Sequence, residues 1–79
     1  MLVEMKVVLS HTLKRHRVRK RLTQVALAKR LGSSQSRVAK LELGAGGVTL
    51  DLLFRALFAA GVTIDQIARE MRSKRRPAT

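Results

Sequence analysis

A single glycine, Gly32, stands between two short helical patterns at residues 23–31 and 34–43, and this punctuation constrains the chain more than any other feature. The first pattern opens on Thr23, whose hydroxyl can cap a helix, and places Leu27, Ala28 and Leu31 on one face. Gly32 falls where that helix must stop, because a residue without Cβ enters the left-handed region freely. Ser34 offers the next cap, and Val38, Leu41 and Glu42 share a face of the following helix. A helix ended so abruptly and restarted at once must cross its successor at close range. Ala28 is small where the two would meet, and Leu27, Leu31, Val38 and Leu41 would fill the angle between them. The opening turn of the second helix then stands free, with unpaired backbone N–H groups and short polar side chains. A protruding helix of this kind has the width of the DNA major groove.

The rest of the chain is also punctuated as helix. Residues 10–21 read as a helix capped by Ser10, with Leu13 and Arg17 continuing a stripe from Leu9. Residues 44–48 read as a loop loosened by Gly44, Gly46 and Gly47. Residues 49–60 read as a helix capped by Thr49 and stopped at Gly61, and residues 63–72 as one opened by a Thr63–Gln66 capping box. Residues 1–9 fit two readings. Val3, Met5, Val7 and Leu9 alternate as in a strand able to pair across a dimer, whereas Leu2, Met5, Leu9 and Leu13 step as in a helix. With Glu4 and Lys6, this stretch is too short and too charged for a signal peptide or membrane span. The expectation is an all-α, five-helix domain over residues 10–72, with an N-terminal extension at 1–9 and a basic flexible tail at 73–79.

Charge narrows the partner. Lys and Arg number 17 against 5 Asp and Glu, a net charge of +12, which favours a polyanion. A hydrophobic content of 46% separates the chain from disordered basic tails. The aromatic residues are Phe54 and Phe58, a poor set for stacking unpaired bases. The absence of Cys rules out disulfides and thiolate metal sites, and accords with a reducing cytoplasm. His11 and His16 lack further ligands nearby, so a solvated or phosphate-adjacent position is expected, with no metal and no cofactor. No nucleophile–base–acid set stands out, and the loop at 44–47 lacks the strand and the Lys-Ser/Thr of a phosphate-binding loop, so an enzyme is not expected.

Residues 22–42, LTQVALAKRLGSSQSRVAKLE, resemble the Cro and phage-repressor type of helix-turn-helix domain, the xenobiotic-response-element family. The match runs through Leu22, Thr23, Gln24, Leu27, Ala28, Leu31, Gly32, Ser34, Gln35, Ser36, Val38, Leu41 and Glu42, and the flanking helices fit over residues 9–72. The resemblance implies that Gln35, Ser36 and Lys40 face base edges, with Arg37 on a base or at the groove wall. It implies phosphate contacts at Gln24 and Ser34, and an ion pair between Arg17 and Glu42. Lys14, Arg15, Arg19, Lys20 and Arg21 crowd the first helix, and Lys20 and Arg21, with Lys29, are expected at phosphates. The plainer alternative for such a run is a solvated face. The family often has acidic residues where this chain has Val25 and Ala26, and an acid and Pro where it has Ala45, Gly46 and Gly47.

The fourth helix is over-apolar. Leu50, Leu53, Ala56 and Leu57 suffice for one core face, so Leu52, Phe54 and Phe58 suggest a dimer or partner interface, unless the fifth helix and N-terminal segment cover them. The run SSQSRVAKLE followed by VTLDLLFRAL also resembles small regulators encoded beside toxin genes. The function expected is a dimeric, sequence-specific regulator of double-stranded DNA in a prokaryotic or phage cytoplasm, a repressor by family habit. An antitoxin that binds a toxin protein is the alternative, followed by a non-specific basic nucleic-acid binder.

Overall fold

The computed structural model describes residues 2–44 and 47–75. They form five helices, α1 (Leu2–Arg19), α2 (Gln24–Leu31), α3 (Gln35–Leu43), α4 (Leu50–Ala59) and α5 (Ile64–Arg75), with no strand among the described residues. The all-α architecture is thus the one expected. Of the two readings for the N-terminal stretch, the helical one holds from Leu2 onward. Ser10 is therefore no cap: it lies inside α1, 1% exposed, and its hydroxyl has no hydrogen-bond partner among the described residues. The stripe through Leu9 and Leu13, both fully buried, outweighs the local preference of a serine for a helix start.

The other start signals act locally. Thr23 Oγ1 accepts from the Ala26 amide at 3.0 Å, Ser34 Oγ from Arg37 at 3.1 Å, and Thr49 Oγ1 from Leu52 at 3.2 Å. Thr63 and Gln66 make the reciprocal box, with the Thr63 amide donating to Gln66 Oε1 at 2.9 Å and the Gln66 amide to Thr63 Oγ1 at 3.1 Å. Gly32 ends α2 at φ 70°, in the left-handed region.

Helix α1 stops before Arg21, which was expected inside it. Arg21 takes φ 57°, its amide donates to Val18 O, and the Leu22 amide reaches back to Arg17 O. This is the wrapped helix end usually given to glycine, here made by an arginine because the chain must turn into α2. Helix α5 runs past Arg72 to Arg75, so the expected tail is helical at its start, and residues 76–79 lie outside the described residues.

Helix α1 packs against α3, α4 and α5, while α2 packs against α3 and α4. The shared core joins Leu9 and Leu13 of α1 to Leu27 and Ala28 of α2, Val38 and Leu41 of α3, and Leu53, Ala56 and Leu57 of α4. Leu31 is partly buried against the same cluster. Helix α4 has no basic residue in its own last turn. Its terminal carbonyls are met from outside: Lys20 Nζ donates to Ala60 O and Gly61 O, both at 2.9 Å, and Arg30 Nη1 donates to Ala59 O at 3.2 Å. Two cations thus sit at the negative end of the helix dipole. Gly61 has φ 84°, and a Cβ there would lie 2.7 Å from Lys20 Nζ.

Candidate nucleic-acid interface

Helix α3 is two-sided. Val38, Leu41 and Glu42 are buried, while Ser34, Gln35, Ser36, Arg37 and Lys40 are exposed around its opening turns. This division follows from the helical period: the inward set is spaced by three and four residues, and the outward set falls on the remaining arc. Gln35 lies on the edge of that arc facing α2, where its Nε2 donates to Gln24 Oε1 at 2.5 Å. Ser36, Arg37 and Lys40 border the other side. With Ser34 they line an open cleft whose far wall is Gly47, Val48 and Leu52. Neither α2 nor α3 has an acidic residue in its first turn, so neither helix carries a carboxylate of its own at its positive end.

One buried carboxylate registers these parts. The Arg17 guanidinium pairs with Glu42 through two hydrogen bonds, Nε to Oε2 and Nη2 to Oε1, the latter at 3.0 Å. The third nitrogen, Nη1, donates to Leu22 O at 2.8 Å in the turn between α1 and α2. Gln24 Nε2 adds a further bond to Glu42 Oε1 at 3.0 Å. The Glu42 side chain is 3% exposed and that of Arg17 11%. Because Arg17 belongs to α1, Gln24 to α2 and Glu42 to α3, this network fixes how α3 leaves the body of the protein.

The remaining residues singled out from the sequence are scattered. Arg21 is exposed at the end of α1, and Lys29 is exposed on α2. Lys20, expected at a phosphate, is exposed, and its ammonium donates to the C-terminal end of α4. Leu52 parts from Phe54 and Phe58: it faces the cleft beside α3. Phe54 is half-buried against the core, and Phe58, 48% exposed, lies with its ring centroid 6.3 Å from that of Phe54. His11 is exposed, but His16 is 6% exposed and not the solvated residue expected. Burial holds its pKa below the ordinary value, with Arg19, Arg15 and Lys20 pushing the same way and Glu70 against them. Glu70 itself pairs with Arg15 at 2.6 Å, tying α5 to α1.

Two features escaped the sequence reading. The second wall of the cleft was missed because the glycines around it signal only a loop. The bond from Gln24 to Glu42 was missed because the resemblance assigns Gln24 only a phosphate contact and no local pattern links it to Glu42. Among the described residues no group of His, Cys, Asp and Glu could hold a metal ion, and no helix is long and apolar enough to cross a membrane. No curated protein and no solved structure matches the chain. The family described as "helix-turn-helix domain" matches residues 8–69, from within α1 to within α5. With α2, a turn at Gly32 and an outward-facing α3 inside that span, the chain belongs to the helix-turn-helix family of DNA-binding domains.

Proposed function

We propose that this protein is a sequence-specific regulator that inserts the opening turns of α3 into the major groove of double-stranded DNA. The observation that carries the reading is the exposed polar arc of Gln35, Ser36, Arg37 and Lys40 on a helix whose opposite side is buried. Gln35 suits adenine, Lys40 and Arg37 suit guanine, and Ser36 suits either. The exposed start of α3 at Ser34, the N-terminal turn of α2 at Gln24, and the side chains of Arg21 and Lys29 would take phosphates. A chain of this size gains from association, and Phe58 offers an exposed aromatic for a two-fold contact. Two copies would place their α3 helices in successive major grooves about 34 Å apart on a palindromic site. Repression is favoured over activation by the habit of the resembled family alone.

Selection of bound sequences from random duplex DNA tests this reading. The expected result is an enriched motif of two inverted half-sites spaced by about one helical turn. Recovery of unenriched sequence, with binding lost in moderate salt, would reduce the protein to a non-specific binder. The antitoxin alternative rests on the same exposed Phe58, which would then cover a partner protein. It requires that a Phe58→Ser variant lose that partner while still binding DNA as a dimer.

A further inference from the structure

A single side chain, Gln24, joins the buried carboxylate of Glu42 to the exposed amide of Gln35. A glutamine amide has two ends of opposite hydrogen-bonding sense, and ordinarily either can turn toward a neighbour. Here the choice is forced. A carboxylate facing a guanidinium accepts and cannot donate, so Gln24 must turn Nε2 toward Glu42, as it does at 3.0 Å. Its Oε1 then faces Gln35, which must answer with its own Nε2, at 2.5 Å. Gln35 is left with Oε1 and one Nε2 hydrogen, an acceptor beside a donor.

That pair fits the major-groove edge of adenine, where N6–H donates and N7 accepts. Guanine presents two acceptors, N7 and O6, and would set O6 against the Gln35 carbonyl oxygen. Were the relay reversed, Gln35 would turn Oε1 to Gln24 and offer both Nε2 hydrogens to the groove, which suits guanine. We propose that Glu42 and Gln24 are positioning residues for base choice, the carboxylate setting the polarity of the Gln35 amide so that it accepts adenine and rejects guanine. The proposal rests on Gln35 facing a base.

The test is base-by-base selection from random duplex DNA with the full chain and three variants, Gln35→Ala, Gln24→Met and Glu42→Gln. Gln35→Ala identifies the position, by removing the adenine preference there alone. Gln24→Met breaks the relay and leaves the Arg17–Glu42 pair intact, and Glu42→Gln removes the polarity at its source. Both are expected to raise guanine relative to adenine at that position by roughly tenfold, within the discrimination a good base contact provides, with other positions unchanged. If melting shows Glu42→Gln to be unfolded, Gln24→Met decides alone. Adenine preference retained in both, or in Gln24→Met alone where it decides, with Gln35→Ala behaving as described, overturns the relay. Weakening spread evenly over all positions does the same, because it marks a merely structural role. An unchanged motif in Gln35→Ala overturns base reading by Gln35 itself.

Discussion

Replacing Glu42 by alanine should destabilise this protein more than any other single truncation of a polar side chain. The carboxylate is nearly fully buried and accepts three hydrogen bonds, two from Arg17 and one from Gln24. Removing it leaves the guanidinium desolvated, with its bond to Leu22 O and no counter-charge among the described residues. Breaking one side of a buried pair costs about 3–5 kcal/mol. A domain of this length has a total stability on the order of 4–12 kcal/mol. Each kcal/mol moves the melting temperature by roughly 4–8 °C at this size, so a fall of at least about 12 °C is expected. Thermal melting followed by circular dichroism measures it. The double substitution Arg17→Met with Glu42→Leu should recover most of the loss, because apolar side chains of similar volume replace buried ion pairs at little cost. A Glu42→Ala variant melting within about 4 °C of the parent would refute the reasoning. So would a double variant no more stable than the single.

Lys20→Met should lower stability by about 0.3–1 kcal/mol through loss of the cation at the end of α4, and leave the salt slope of DNA binding unchanged. A slope reduced by about 0.9 would put Lys20 back on a phosphate. Arg21→Gly should act in two directions at once: the left-handed backbone is relieved, for a net gain of about 0.5–1 kcal/mol in denaturant unfolding, while the salt slope falls by about 0.9 because one phosphate is no longer neutralised. A loss of stability would show that φ 57° at this position carries no strain. His16 makes stability depend on pH. Its folded pKa is depressed, so the folded chain binds fewer protons, and the stabilisation is full above about 6.5 and lost as pH falls through the folded value. The urea midpoint should drop between pH 7.5 and pH 5.5, and His16→Gln should flatten that drop; an equal drop in both proteins would exonerate His16.

The parts legible in the sequence are those with local causes. Thr23, Ser34, Thr49 and the Thr63–Gln66 pair cap their helices through bonds spanning one turn, and Gly32 turns the chain within its own residue. The inner side of α3 was equally readable, because Val38 and Leu41 recur at the helical period. Tertiary packing decided the rest. Ser10 has the chemistry of a cap, but the apolar stripe of α1 runs on past it toward the N-terminus. Lys20 resembles its neighbours Arg19 and Arg21, and nothing in a run of basic residues reveals that the end of α4 needs a cation. Leu52 was grouped with Phe54 and Phe58 by apolarity alone, although a helix turns it toward the α3 cleft. At the interface the outward residues of α3 were visible, whereas the connection from Glu42 through Gln24 to Gln35 needs α2 and α3 in register before it exists.

Backbone amide NMR on the labelled protein, titrated with the duplex recovered by selection, tests the central claim most directly. Binding through α3 should shift the amides of Ser34, Gln35, Ser36, Arg37 and Lys40 and of the first turn of α2, and leave those around Ala60 and Gly61 where they were. Shifts confined to α5 and the exposed side of α1, with the α3 amides unmoved at saturation, would contradict it.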